Sequence, residues 1–412
     1  MSPRRLTLTT WLDDLRPGAQ VYIPGASGEL ASLRQALQDD PERLDGVTLT
    51  SCLVPGMNSF DYAALHAGAG LNTFLLPPPL RASFETGRVQ VRPLAYSAIA
   101  RFLATAAFDV AFLNLTPAQN GVCGFGACAD FGPIVARTAK RRIGVLNTAL
   151  PRPVSTPGLA LDDLDGVIEI HDPMGAAAVA APSPDMQALA QRVVALVPDG
   201  ATIQTGIGSA PAAVWSALQQ HRGLRLYSGM VTNGFLDALE AGAMAQDGHV
   251  AGVAFGDAAL YAALDRSSRV RFADVHATHG PGLDGVEGLV AINSALEVDL
   301  LGQANLEWLN GQLVSGVGGA PDFTRAAQLS PGGRSILALP ATARGGGLSR
   351  IVPRLTSPGV SIPRNAIDTV VTEYGAADLK ALSMDQRAAA LIAIAAPQHR
   401  EALDRAWREQ RL

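Results

Sequence analysis

Short runs of β-branched and other apolar residues recur along the chain. Each closes on glycine, proline or a polar turn and gives way to a stretch rich in alanine and leucine. Val21-Tyr22-Ile23 stops at Pro24-Gly25 and leads into a helical pattern over residues 30–37. Val110-Ala111-Phe112-Leu113-Asn114-Leu115 and Ile143-Gly144-Val145-Leu146-Asn147 are runs of the same kind. Ile203-Gln204-Thr205 passes through Gly206 into a helical stretch over 212–218, and Ser335-Ile336-Leu337-Ala338-Leu339 ends at Pro340. Apolar strands alternating with helices are the signature of parallel sheets covered on both faces. The expected fold class is α/β. Around 178–185 an alanine-rich segment meets Ala181-Pro182-Ser183-Pro184, and a new helical stretch over 186–196 then precedes the unit at Ile203. We expect two domains, 1–183 and 184–412. No internal repeat with a period of 20–50 residues is visible.

Composition narrows the function classes. The 412 residues are 48% hydrophobic and 17% charged, which argues against long disorder. Net charge is −5, and only two of the 32 basic residues are lysines, Lys140 and Lys380. Lys140-Arg141-Arg142 is a short cluster that reads as a solvated helix end, so no basic patch invites nucleic acid. Three cysteines, Cys52, Cys123 and Cys128, are too few and too irregular for a disulfide framework or a zinc site. Arg4-Arg5 is followed by Asp13, Asp14 and Arg16 rather than by an apolar leader. Since no run reaches about 18 apolar residues free of charge and proline, the expectation is a soluble cytoplasmic protein with no membrane partner.

Three glycine-rich loops in the second half carry candidate chemistry. Gln204-Thr205-Gly206-Ile207-Gly208-Ser209 lies between a strand and a helix, where Gly206 and Gly208 let backbone approach a ligand and a helix N-terminus offers N–H groups to an anion. Its spacing falls short of G-x-G-x-x-G, so a dinucleotide fold does not follow, and taken alone the loop reads better as a structural turn. Ser315-Gly316-Val317-Gly318-Gly319 precedes another expected helix. Arg344-Gly345-Gly346-Gly347 with Ser349 and Arg350 combines flexible backbone with two guanidinium groups, a cradle suited to phosphate. His276 and His279 lack the acidic or cysteine partners that would complete a metal set, and no metal is expected. Cys123 has no neighbouring base or cation and reads as a buried, inert thiol.

These segments together resemble the acetyl-CoA hydrolase/transferase family. The resemblance is carried by Val290-Ala291-Ile292-Asn293-Ser294-Ala295-Leu296-Glu297-Val298-Asp299-Leu300 with Gly302-Gln303, by the loop over 315–323, by 339–353 and by Val371-Thr372-Glu373-Tyr374-Gly375-Ala376-Ala377-Asp378-Leu379. Pro24-Gly25-Ala26 and the segment 120–130 match more loosely. The likeness implies two similar open α/β domains of the CoA-transferase type, an acyl-CoA substrate bound between them, and a dimer. It also implies ping-pong exchange: a glutamate attacks the thioester, giving an acyl anhydride and then a glutamyl-CoA thioester, from which an acceptor carboxylate takes the CoA. By the same resemblance, Gly318 or Gly319 would supply oxyanion-stabilising N–H groups.

The chain departs from the family at the reacting centre. Where the family reads roughly H-T-E-M-F-S-D-G, this chain has Tyr227-Ser228-Gly229-Met230-Val231-Thr232-Asn233-Gly234, so Gly229 stands at the glutamate position. The family's N-D-P aligns with Thr278-His279-Gly280, its K-G-G-K lysines with Arg344 and Gly347, and its D-E-H-G turn with Ala118-Gln119-Asn120-Gly121. A glycine forms no covalent intermediate. The remaining expectation is acyl-CoA processing with an altered mechanism. In one version the space at Gly229 holds the substrate's carboxylate or a water activated by His276 or His279, making the acceptor either a small carboxylate or water. In a second, Glu297 or Glu287 replaces the glutamate. In a third, the chain is a CoA-binding sensor or partner subunit without catalysis.

Overall fold

A computed structural model describes residues 3–7, 10–176 and 182–410. Among these residues two eight-stranded sheets form. The first contains β1 (Arg4–Arg5), β2 (Gln20–Tyr22), β3 (Thr48–Thr50), β4 (Gly70–Thr73), β5 (Val89–Val91), β6 (Val110–Leu115), β7 (Arg141–Asn147) and β8 (Gly166–Ile170). Its spatial order is β1-β8-β7-β6-β2-β3-β4-β5, parallel throughout. The second contains β9 (Thr202–Thr205), β10 (Arg225–Val231), β11 (His249–Ala254), β12 (Val270–Phe272), β13 (Leu289–Asn293), β14 (Arg334–Ala338), β15 (Thr369–Thr372) and β16 (Gly375–Asp378). Its order is β12-β11-β10-β9-β13-β14-β15-β16, and only the last pair is antiparallel.

Apart from the edge strands β1 and β16, shifting each label by seven lays one order, reversed, on the other. Each half starts at a central strand, β2 or β9, adds three strands outward on one side, then crosses back and adds three on the other. The halves therefore repeat a topology that no sequence period discloses. β6, β11 and β13 are buried at every position, as parallel strands covered on both faces must be. One hydrophobic cluster crosses between the sheets, joining Tyr22 and Leu113 to Ile203 and Ile336.

The helices that position the site are α1 (Tyr96–Thr105), α2 (Pro184–Val194), α3 (Ser209–Leu218), α4 (Val275–Thr278) and α5 (Ala320–Leu329). Ser183 caps α2 by accepting a hydrogen bond from the Met186 N–H, with Pro184 in the first turn. Most of the alanine-rich segment expected to separate the halves, residues 177–181, lies outside the described residues. The basic cluster is corrected: it is no helix end but the start of β7, with each cation beside an acid. Lys140 Nζ is 2.8 Å from Asp109, Arg141 2.9 Å from Asp14 and Arg142 3.8 Å from Asp165.

Candidate active site

The site lies where the halves exchange segments. The Leu76 and Tyr96 amides of the first half donate to the Ser315 and Gly318 carbonyls, each at 3.2 Å. At the start of α1, the Ser97 amide and hydroxyl donate to the Asp322 carboxylate at 3.0 and 2.6 Å. In the other direction, residues 127–130 lie along β11: the Ala254 amide donates to the Ala127 carbonyl at 2.8 Å, and the Ala129 and Asp130 amides both reach the Gly252 carbonyl. These crossings enclose a cavity of about 390 Å³. Its walls include Ala26, Val54, Tyr96 and Asp130 from the first half, and residues 204–210, Gly229, His279, Asn293, Gly318, Gly319 and Arg350 from the second.

Gly229, on β10, supports the ring of His279. A Cβ placed on Gly229 would sit 2.7 Å from His279 Cε1 and 2.9 Å from Nε2, and one placed on Gly319 would sit 2.5 Å from Nε2. The imidazole thus fills the space between two glycines, which corrects the expectation that a substrate carboxylate or a water occupies the gap left by the glutamate. Tyr96 and Phe323 flank the ring, each with its centroid 4.7 Å away. Nδ1 lies 2.9 Å from the Thr278 hydroxyl, which itself donates to the Asp274 carbonyl at 3.3 Å. That chain of bonds leaves the hydroxyl accepting from Nδ1–H and makes Nε2 the acceptor facing the cavity. Burial lowers the His279 pKa to about 3, so the ring is neutral at physiological pH.

The oxyanion feature expected of Gly318 and Gly319 sits at the N-terminus of α5. Their N–H groups have no acceptor among the described residues, and the ten-residue helix adds its partial positive charge there. Behind them, Gln204 and Asn293 on the adjacent strands β9 and β13 satisfy each other reciprocally, at 3.3 and 3.1 Å. Arg350 brings a guanidinium to the wall, with its Nε unpartnered; burial lowers its pKa, while Glu297 and Glu373 oppose that shift.

One cavity residue carries no signal in the sequence. Asp130 is the single carboxylate among the described residues of the cavity wall, and its carboxyl accepts no hydrogen bond from any of them. Its backbone is held at φ 37°, a region most side chains avoid, by the bond to Gly252 and by the Val275 N–H donating to its own carbonyl. Desolvation by burial raises its pKa to about 7. The cysteines beside it, Cys52 and Cys128, are pushed up by burial, Cys128 to about 12, which makes them poor thiolates. Asp130 ends the loosely matching segment 120–130, but nothing in its sequence neighbours signals a half-buried carboxyl in a cavity wall.

The remaining expected residues are dispersed. Gly206 and Gly208 line the cavity and also a second space of about 520 Å³, beside Trp215 and Phe255. His276, on α4, is not part of either wall. Arg344 and Gly345 are exposed, with Arg344 3.4 Å from Asn310, while the Gly346 carbonyl lies 2.9 Å from His399 Nε2 and the Ser349 hydroxyl donates to the Ile351 carbonyl at 2.7 Å. Both proposed replacement glutamates are corrected by position: Glu297 accepts from Asn305 outside the cavity wall, and Glu287 is exposed on a loop. Cys123 is buried, and desolvation raises its pKa. Among the described residues no three His, Cys, Asp or Glu side chains gather as a metal site, and no helix is long and apolar enough to cross a membrane.

Similarity to known proteins agrees with this architecture. The acetyl-CoA hydrolase/transferase C-terminal domain matches residues 256–407. The 4-hydroxybutyrate coenzyme A transferase of Clostridium kluyveri is 30% identical over 397 residues, covering 93% of this chain and 92% of that protein. The chain belongs to the acetyl-CoA hydrolase/transferase family. Its fold is that of the crystal structure of RipA from Yersinia pestis, with a TM-score of 0.91, 26% identity, and coverage of 99% of this chain and 98% of that one. It is also that of the 4-hydroxybutyrate CoA-transferase from Porphyromonas gingivalis, with a TM-score of 0.82, 29% identity and the same coverage.

Proposed function

We propose that the chain is an acyl-CoA-processing enzyme that moves the acyl or CoA group of a thioester to a small acceptor in the cavity between its halves, without a glutamyl-CoA intermediate. The reading is carried by one contrast: the unpaired Gly318 and Gly319 amides persist, while His279 stands over a glycine where the family's nucleophile would be. The thioester oxygen sits against those two amides, which stabilise the negative charge that grows on it as the carbonyl carbon turns tetrahedral. The acceptor attacks directly, so both substrates are bound at once. Arg344, Gly345, Gly346, Ser349 and Arg350 hold the CoA phosphates, and the active form is a cytoplasmic homodimer.

The test is mass spectrometry of the purified protein with a panel of acyl-CoAs, with and without carboxylate acceptors, following free CoA and new acyl-CoA together. Turnover without a trapped glutamyl or aspartyl adduct is the expected result, with intersecting double-reciprocal plots where the acceptor is a carboxylate and free CoA alone where it is water. Parallel plots with a trapped glutamyl or aspartyl adduct would restore ping-pong exchange. CoA binding without any turnover would favour a sensor or partner subunit. Hydrolysis is the second reading, and Asp130 is the observation that favours it.

A further inference from the structure

Resting on that reading, we propose that Asp130 is the proton acceptor of the site and that the acceptor it activates is water, so that the reaction is thioester hydrolysis. The argument begins with position. Residues 127–130 leave the first half to hydrogen-bond along β11. Gly252 of β11 lies beside Gly229 of β10, so close that a Cβ placed on Gly252 would sit only 2.9 Å from the Gly229 carbonyl oxygen. The Asp130 backbone is thereby fixed against β11, the strand next to the one where the family's glutamate would stand, and the residue lines the same cavity as Gly318 and Gly319. A strand spacing is about 4.8 Å, and aspartate is one methylene shorter than glutamate. A carboxyl so placed is assigned to act on a carbonyl held at Gly318 and Gly319 through a bridging water rather than by direct attack.

Environment points the same way. The carboxyl has no hydrogen-bond donor and no facing cation among the described residues, so nothing holds it permanently ionised. The groups around it are Tyr22 from β2, Cys52 following β3, Tyr96 from α1, and Cys128 on its own segment. Burial keeps each of them neutral near pH 7. Asp274, across a single bridge, is engaged by Arg137 at 3.5 Å, and neutral His279 stacks on Tyr96. Asp130 is the group in this wall that changes charge near pH 7.

The step balances without a further reactant. Water oxygen bonds to the thioester carbon as one of its protons passes to the Asp130 carboxylate. The tetrahedral centre then collapses, the C–S bond breaks, and the departing thiolate takes that proton. Acyl-CoA and water become a carboxylic acid and free CoA, and the aspartate is regenerated. His279 Nε2, an acceptor without a partner, accepts a hydrogen bond from the water's second O–H, which stays on oxygen, and so orients the water.

Two variants keep the backbone. Asparagine and glycine both tolerate a positive φ, so D130N and D130G are expected to fold. D130N should lower kcat for acyl-CoA cleavage by about 10²- to 10⁴-fold while changing CoA affinity less than about threefold. Formate added to D130G should restore turnover, which a merely structural role would not allow. Wild-type kcat/KM should climb with pH to a plateau above about pH 7, and the climb should vanish in D130N. In single turnover in H₂¹⁸O the label should enter the released acid and not the protein. Label in the Asp130 peptide would overturn the assignment in favour of a nucleophile. Unchanged cleavage in D130N, or turnover that requires a carboxylate acceptor, would overturn it while leaving the acyl-CoA reading intact. A wild type that cleaves no acyl-CoA overturns both.

Discussion

His279 and Gly229 fit each other across fifty residues of sequence, and the fit has an energetic signature. In Gly229→Ala the new methyl group falls within 3 Å of two ring atoms packed between Tyr96 and Phe323, where the ring has little room to retreat. Overpacking of this kind costs about 1–3 kcal/mol. Urea denaturation should show that loss in Gly229→Ala and its relief in the Gly229→Ala/His279→Ala pair, giving a coupling above about 0.5 kcal/mol; additive effects would mean the ring moves freely. Gly229→Glu should likewise be tolerated only with His279→Asn, and only that double variant should yield a hydroxylamine-sensitive glutamyl adduct with acyl-CoA. Protonation adds a second signature. His279 titrates at about 3 when folded and at 6.5 in its ordinary state, so as pH falls through that window the unfolded chain takes up a proton that the native ring refuses, and stability drops. Asp130 has the opposite sign: between 3.8 and about 7 the native state holds a proton that the unfolded state has released, so its contribution is lost as pH rises. Denaturant titrations should show His279→Asn losing less stability than wild type toward acid and Asp130→Asn losing less toward neutral pH, each by at most about 1.4 kcal/mol per pH unit. The sequence marked Gly229 as a departure and His279 as a candidate, but not that one fills the other's place. Asp130 was not legible, because its place in the cavity wall depends on Gly252 and Val275 holding its backbone and on Tyr22, Cys52 and Tyr96 gathering around it.

At the scale of elements, the segment 315–323 joins loop, helix and second half in one device. The glycines at 318 and 319 end the loop with free amides, α5 begins at Ala320, and Asp322 in its first turn accepts two hydrogen bonds from Ser97. Ser97 itself lies in the first turn of α1, so one carboxylate satisfies the start of a helix that belongs to the other half. Asp322→Ala should therefore do two things. It should cost about 1–3 kcal/mol in denaturation, the range for a lost charge-assisted hydrogen bond, and it should raise KM for acyl-CoA by loosening the loop that carries the oxyanion amides. Asp322→Asn, which keeps an acceptor for the Ser97 amide, should recover part of both; a stability loss with KM unchanged would separate the tie from the site. The loop and the helix after it were readable from glycine, proline and periodicity. The tie to Ser97 was not, since a serine 225 positions away carries no local mark of its partner.

The whole molecule repeats one strand order twice and then refuses to behave as two pieces. The alternation of buried strands and helices made the α/β class readable, because parallel sheets demand apolar runs wherever they occur. The duplication was not readable: topology is set by which strands lie side by side, and many apolar residues serve equally well in each place. What binds the halves is a continuous core from Tyr22, Leu113 and Phe131 through Ile203, Val231 and Ile336, together with the crossed hydrogen bonds at Gly318, Asp322 and Gly252. Domains that share a core lose their contacts together, so thermal unfolding should be one cooperative transition with calorimetric and van't Hoff enthalpies in agreement. Phe131 is the place to press this. It belongs to the first half, is fully buried, and stacks on Tyr96 at 5.2 Å, which in turn stacks on His279 of the second half. Phe131→Ala should cost about 3–5 kcal/mol and move the single transition down without splitting it. If calorimetry instead showed an unshifted component, the second sheet would be stable alone, and the cavity would be a contact between independent domains. A single shifted transition would mean that the catalytic geometry, assembled from both halves, exists only when the entire fold does.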